Sequence, residues 1–223
     1  MKKFLSLILC VFALIFTFSG CKKQENTLNQ YVSELRSEIY LGQSENFTLK
    51  ASYGFKEIPY EHDGKISARA YLLVFKLLGK ETEEATFNAS FTFKGKVYKT
   101  TFKLSPVSHS LTAPIEIEGF NLKEFTVQIS SGTDTENVQL KSTVPKNAIS
   151  YSTALKYLQK NQRELIKTYC DSDGNFKGEI CARIVVKDQK PYWYVGLTDK
   201  DGNLKALLID GFNGEVLAIR EIF

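Results

Sequence analysis

Histidine is nearly absent: His62 and His109 are the only two in 223 residues. They fall in different loops, whereas a zinc site needs several ligands at close spacing. No Gly-x-Ser-x-Gly elbow, His-Glu-x-x-His helix or glycine-rich phosphate loop occurs. Ser108-His109-Ser110 sets hydroxyls beside an imidazole, but adjacency in sequence does not supply the geometry of a nucleophile and its base. No enzyme and no cofactor are expected on these grounds. A large excess of one charge is also missing. The net charge is +4, of which Lys2 and Lys3 supply two, and the rest is dispersed. No basic stripe interleaved with aromatics appears, so nucleic acid is not an expected partner. What is plentiful is core material, 43% hydrophobic and 13% aromatic, which excludes general disorder. The length allows one large or two small domains.

Long apolar runs are confined to one place. Leu5 to Phe18 is apolar except for Ser6, Cys10 and Thr17, and Met1-Lys2-Lys3 precedes it. That run suits a signal-peptide core and falls short of the roughly 20 residues of a spanning helix. Phe18-Ser19-Gly20-Cys21 follows and resembles the lipobox of bacterial lipoproteins. The resemblance implies removal of residues 1–20 and lipidation of Cys21 with diacylglyceryl and palmitate-type chains. Two buried acyl chains give stable anchoring where one does not. An ordinary secretory signal cut nearby is the alternative. Residues 21–30 are polar and read as a tether. The expected location is the extracytoplasmic face of a cell membrane.

Residues 31–145 read in twos, as an all-β domain. Phe87, Ala89, Phe91 and Phe93 alternate with Asn88, Ser90 and Thr92, and Lys94-Gly95-Lys96 turns the chain into Val97–Leu104. Ser67–Leu78 is apolar on both faces and suits a central strand. Leu111–Ile117, Leu122–Ile129 and Val138–Val144 add alternating runs, and Glu45–Tyr53 is the first expected strand. The pattern implies an immunoglobulin-like sandwich of about seven or eight antiparallel strands, or a small barrel. Pro145 marks the boundary, since proline cannot continue a central strand.

Residues 146–223 read as a small α+β domain, one helix on an antiparallel sheet of about four strands. Ser150 is the N-cap of a helix expected to reach Tyr169, with Leu155, Leu158, Leu165, Ile166 and Tyr169 on one face. Lys177–Lys187, Tyr192–Thr198, Leu204–Asp210 and Glu215–Ile222 are the strands. Here Ile149-Ser150 with Ala154-Leu155, Tyr192-Trp193-Tyr194-Val195, and Leu208-Ile209-Asp210 with Asn213-Gly214-Glu215-Val216-Leu217 together resemble the PepSY domain. The resemblance covers the last third only. It implies a module that binds or inhibits partner proteins rather than a catalyst.

The candidate contact residues follow. Tyr53 to Gly64 is expected as an aromatic and acidic loop presenting Tyr53, Phe55 and Tyr60, since loops on a β scaffold carry recognition; the alternative folds those rings back onto the domain. Trp193 is either an interface anchor or a core residue under the helix. Cys170 and Cys181 are either bridged, contributing on the order of 2–3 kcal/mol, or two separate thiols. Asp171–Asn175 and Asp199–Asn203 begin like calcium loops but lack Gly at position six and Glu at twelve, so they read as turns. The function expected is an envelope protein that binds an unidentified protein or peptide; the alternative is an envelope-structural or cell-wall-associated role, and a third reading, an enzyme or small-ligand carrier, would need a deep polar pocket.

Overall fold

A computed structural model describes residues 27–59, 66–79, 86–106 and 109–222. The expected signal peptide, residues 1–20, and Cys21 and Tyr60 lie outside them. A short 3-10 helix (Leu28–Tyr31) leads into nine strands: β1 (Val32–Gln43), β2 (Thr48–Glu57), β3 (Arg69–Leu78), β4 (Phe87–Phe93), β5 (Lys96–Thr101), β6 (Lys103–Ser105), β7 (Ser110–Glu116), β8 (Glu124–Ser131) and β9 (Asp134–Ser142). Helices α1 (Tyr151–Asn161) and α2 (Arg163–Lys167) come next. Four strands close the chain: β10 (Glu179–Lys187), β11 (Lys190–Thr198), β12 (Leu204–Asp210) and β13 (Val216–Ile222).

The strands form one 13-stranded sheet, and β1 holds it together. One edge of β1 pairs with β2 along most of its length, antiparallel. The other edge is shared. Val32 to Arg36 pair with Ile180 to Arg183 of β10, in parallel, and Tyr40 and Leu41 pair with Ser142 and Lys141 of β9. The sheet therefore runs β13-β12-β11-β10-β1-β2-β3-β7-β6, and β9, β8, β4 and β5 curl back from the far half of β1.

This overturns the expected sandwich followed by a separate α+β domain of one helix on four strands. The described residues are 58% strand, and no separate α+β unit exists. Strands β10 to β13 do form an antiparallel meander, but the sheet passes from β10 straight into β1. The physical reason is that an unpaired β10 edge would expose a row of backbone donors and acceptors. The 12-residue β1, which precedes the first expected strand, covers that edge from Ile180 to Arg183 and goes on to reach β9.

Two apolar cores sit along this sheet. The first lies where the sheet curls and is aromatic: Phe91, Phe120 and Phe125 meet edge-on or tilted at 5.0–6.0 Å. The second lies under the helices and gathers Leu155, Leu158, Ile166 and Tyr169 against Ile180, Ala182, Trp193, Val195 and Leu207. Strand β1 supplies both, Val32 and Leu35 to the second and Tyr40 to the first, and Tyr71 of β3 touches each.

The helix begins as its sequence dictates: the backbone N–H of Thr153 donates to Ser150 Oγ at 3.1 Å. A single helix to Tyr169 is not formed. The backbone leaves helical geometry at Gln162 (φ −121°, ψ 43°), and the short α2 follows, with Ile166 and Tyr169 buried beyond the break.

Candidate functional site

The shared edge of β1 makes a fork. Beyond Arg36, β1 parts from β10, and it meets β9 only at Tyr40. A register shift between Arg36 and Glu38 leaves Ser37 bulged at the branch point. Opposite it, Gly54 of β2 has no room for a side chain, since a Cβ there would lie 1.8 Å from the Leu35 carbonyl oxygen.

The segment after β9 crosses the fork to reach α1. It is tied down at both ends. The backbone N–H and the hydroxyl of Thr143 both donate to the Ile39 carbonyl, at 2.8 and 3.2 Å. Ser142 Oγ donates to Glu38 at 3.0 Å, and Lys123 pairs with the same carboxylate. Farther on, the Ile149 N–H donates to the Gly211 carbonyl at 2.8 Å, and Trp193 Nε1 donates to the Ile149 carbonyl at 3.0 Å.

Between this strap and the sheet lies a groove of about 870 Å³, within the range of ligand-binding clefts. Val144, Ile149, Tyr151, Ile184, Trp193 and Phe212 make its apolar wall, and Glu38, Lys123 and Lys146 stand among the polar residues at its margin. Phe212 is 39% exposed, on the turn between β12 and β13. Asp210 holds that turn by accepting from the N–H groups of Phe212 and Asn213 at 2.8 and 3.1 Å.

A second cavity, about 330 Å³, opens on the face of the sheet away from the helices. Its floor is charged and internally paired. Glu34 accepts from Arg36 Nε at 2.8 Å and from Arg183 Nη2 at 3.0 Å. Burial alone would raise the Glu34 carboxyl; the Arg183 and Arg36 guanidiniums outweigh it and hold the group below its usual range. Cys181, paired across β1 with Glu34, has its thiol pushed up by burial and by that carboxylate, with Arg183 opposing. A thiol held protonated is a poor nucleophile. Glu34 is held by its two arginines, whereas the fork groove presents exposed apolar surface.

The expected contact residues are placed as follows. Tyr53 and Phe55 lie on β2, not in a loop, and both are buried. The Tyr53 hydroxyl accepts from the Phe120 N–H at 3.2 Å, and the Arg69 guanidinium lies 4.5 Å over the Phe55 ring. Tyr60 is outside the described residues. Trp193 is 2% exposed, so it does not project as an interface anchor, yet its ring forms part of the groove wall. Cys170 and Cys181 are free. Cys170 packs against the helix-side core, whereas Cys181 lines the cavity on the opposite face, so the sheet itself separates them.

The two acidic turns have one geometry. Asp171 Oδ1 accepts from the N–H groups of Asp173 and Asn175, and Asp199 Oδ1 from those of Asp201 and Asn203, all at 2.8–3.0 Å. The Asn175 N–H, with the Lys177 ammonium and the Asn175 side chain, holds the Asp171 carboxyl down to about 2. The carboxylates stabilise their own turns.

Sequence reasoning missed Val144, Tyr151 and Phe212. Only Phe212 carried a signal, as an aromatic between turn residues in Gly211-Phe-Asn-Gly214, where no core position is expected. No protein-family model matches the chain, and no curated protein matches it in sequence.

Proposed function

We propose that this chain is a membrane-anchored, non-enzymatic binding protein of the bacterial envelope, and that its partner is a protein or peptide received in the fork groove. The observation that carries the binding role is the groove itself: an apolar wall with Trp193 at its base and Phe212 at its mouth, roofed by a strap tied at both ends. Exposed aromatic surface beside a preformed cleft is what partner recognition requires. Anchoring rests on Phe18-Ser19-Gly20-Cys21 and on the short apolar run before it. A regulatory role of the PepSY type is part of the same proposal and rests on the quoted motifs alone.

Two experiments test it. Cells grown with an alkyne fatty acid label the wild-type chain and not Cys21→Ala; equal labelling of both contradicts the anchor. A photo-crosslinking residue placed at Phe212 and activated on intact cells captures a discrete adduct, and Lys146→Glu combined with Val144→Asp removes it. Absence of any adduct, or one indifferent to the groove substitutions, contradicts the binding role.

A further inference from the structure

The groove has a free strand edge beside it. Strand β10 keeps its β11 partner as far as Lys187, paired with Lys190, but its β1 partner ends at Arg183. Past that point β1 has turned away toward β9. No described strand and no described backbone bond occupies the outer edge of Val185–Lys187. In a strand, alternate residues direct their N–H and C=O groups to opposite edges; Val185 and Lys187 bond β11, and Val186, paired with Pro191, which has no N–H, presents its own N–H and C=O toward the fork. Val185 is 44% exposed on the open face, and Ile184 is buried on the groove side next to Trp193.

Charge defines the occupant further. Glu38 is already neutralised by Lys123. Lys146 at the groove margin makes no ion pair among the described residues, and neither do Lys187 and Lys190 at the base of the turn that contributes Gln189. Asp188 is the one acid in that turn. Lys146 thus adds positive charge at the groove margin, and Lys187 and Lys190, cross-strand neighbours in phase with Val185, add it on the open face of the sheet.

We propose that the fork takes an extended peptide by strand addition: the peptide pairs with the free edge of β10 at Val186, alternate apolar side chains enter the groove, and the acidic side chains between them meet Lys187 and Lys190 on the open face. This rests on the binding role above and specifies its mode. Main-chain hydrogen bonds supply the affinity, and the apolar and cationic surfaces supply the choice of sequence. Filling the fork completes the sheet that β1 leaves open on one side.

Trp193 is the only tryptophan of the chain, so its fluorescence reports the groove directly. The probe is a seven-residue capped peptide alternating Glu and Val, titrated into the full chain. The expected result is a saturable change in Trp193 emission. Replacing Glu by Lys in the peptide weakens it, and Lys187→Glu with Lys190→Glu in the protein weakens binding of the acidic form while strengthening the basic one. Two further peptides carry backbone N-methyl groups on the Val or on the Glu residues, and at least one loses about tenfold or more in affinity, as expected when paired N–H groups are removed. If both methylated forms bind like the parent, strand addition is overturned and the groove remains a binding site. If no peptide changes the emission, the inference is overturned, and the Phe212 cross-link alone decides the binding role.

Discussion

Glu34 illustrates how a single side chain sets a pH response. Its carboxyl, one-fifth exposed, lies between Arg36 and Arg183, and the folded state holds it below the ordinary value of 4.5. A depressed folded value contributes stability above the unfolded value, and that contribution disappears as pH falls through the folded one. Thermal unfolding followed between pH 6 and roughly pH 2 will therefore show a decline that Glu34→Gln flattens in the window below about 4.5. At pH 7 the same substitution costs about 1 kcal/mol, because two guanidiniums lose a charged acceptor on a half-exposed face. An unchanged acid profile would contradict the pairing. The cysteines give a second test at this scale. With Cys170 and Cys181 on opposite sides of a sheet, denaturation in the presence of a thiol reagent titrates both. Reduction leaves the melting temperature of residues 22–223 unchanged, whereas a fall of several degrees would reveal a bridge.

At the scale of elements, α1 was legible because its signals are local. Ser150 with apolar residues at Leu155 and Leu158 marks a start and a face, and the structure places the cap bond there. Ser150→Ala should cost about 1 kcal/mol, read as a lowered denaturant midpoint with an unchanged slope. The hairpin of β4 and β5 was legible for the same reason, since Phe87 to Phe93 alternate without interruption around a Lys94-Gly95 turn. Strand β1 was not. Register shifts at Ser33 and Ser37 break its period of two, so Val32, Leu35 and Ile39 recur at spacings closer to those of a helix than of a strand. Its parallel pairing with β10 joins residues far apart in sequence, and no local pattern encodes that. Trp193 shows a related limit of local reading: alternation assigns it to one face of β11, but only the tertiary fold shows which face the helices cover.

At the scale of the molecule, one strand couples two cores. Leu35 and Phe55 belong to the helix-side core, Tyr40 and Tyr53 to the aromatic one, and both pairs sit on β1 and β2. The fork groove exists because β1 serves β10 with its first half and β9 with its second, so its shape depends on the continuity of the sheet. The candidate site was accordingly illegible in the sequence: Val144, Trp193 and Phe212 come from a strap, a strand and a turn that only the shared edge of β1 brings together. The most direct test of that continuity uses Gly54→Ala. The substitution forces a Cβ into the Leu35 carbonyl, on the β1–β2 pair and outside the helix-and-meander segment that contains Trp193. Equilibrium unfolding is followed by Trp193 fluorescence for the helix-side core and, in fluorotyrosine-labelled protein, by the fluorine resonance of Tyr53, assigned with Tyr53→Phe, for the aromatic one. The continuous sheet predicts that Gly54→Ala lowers stability by about 2–3 kcal/mol in both signals together. A Trp193 transition that stays at the wild-type midpoint while the tyrosine signal shifts would show two independent domains and contradict the account.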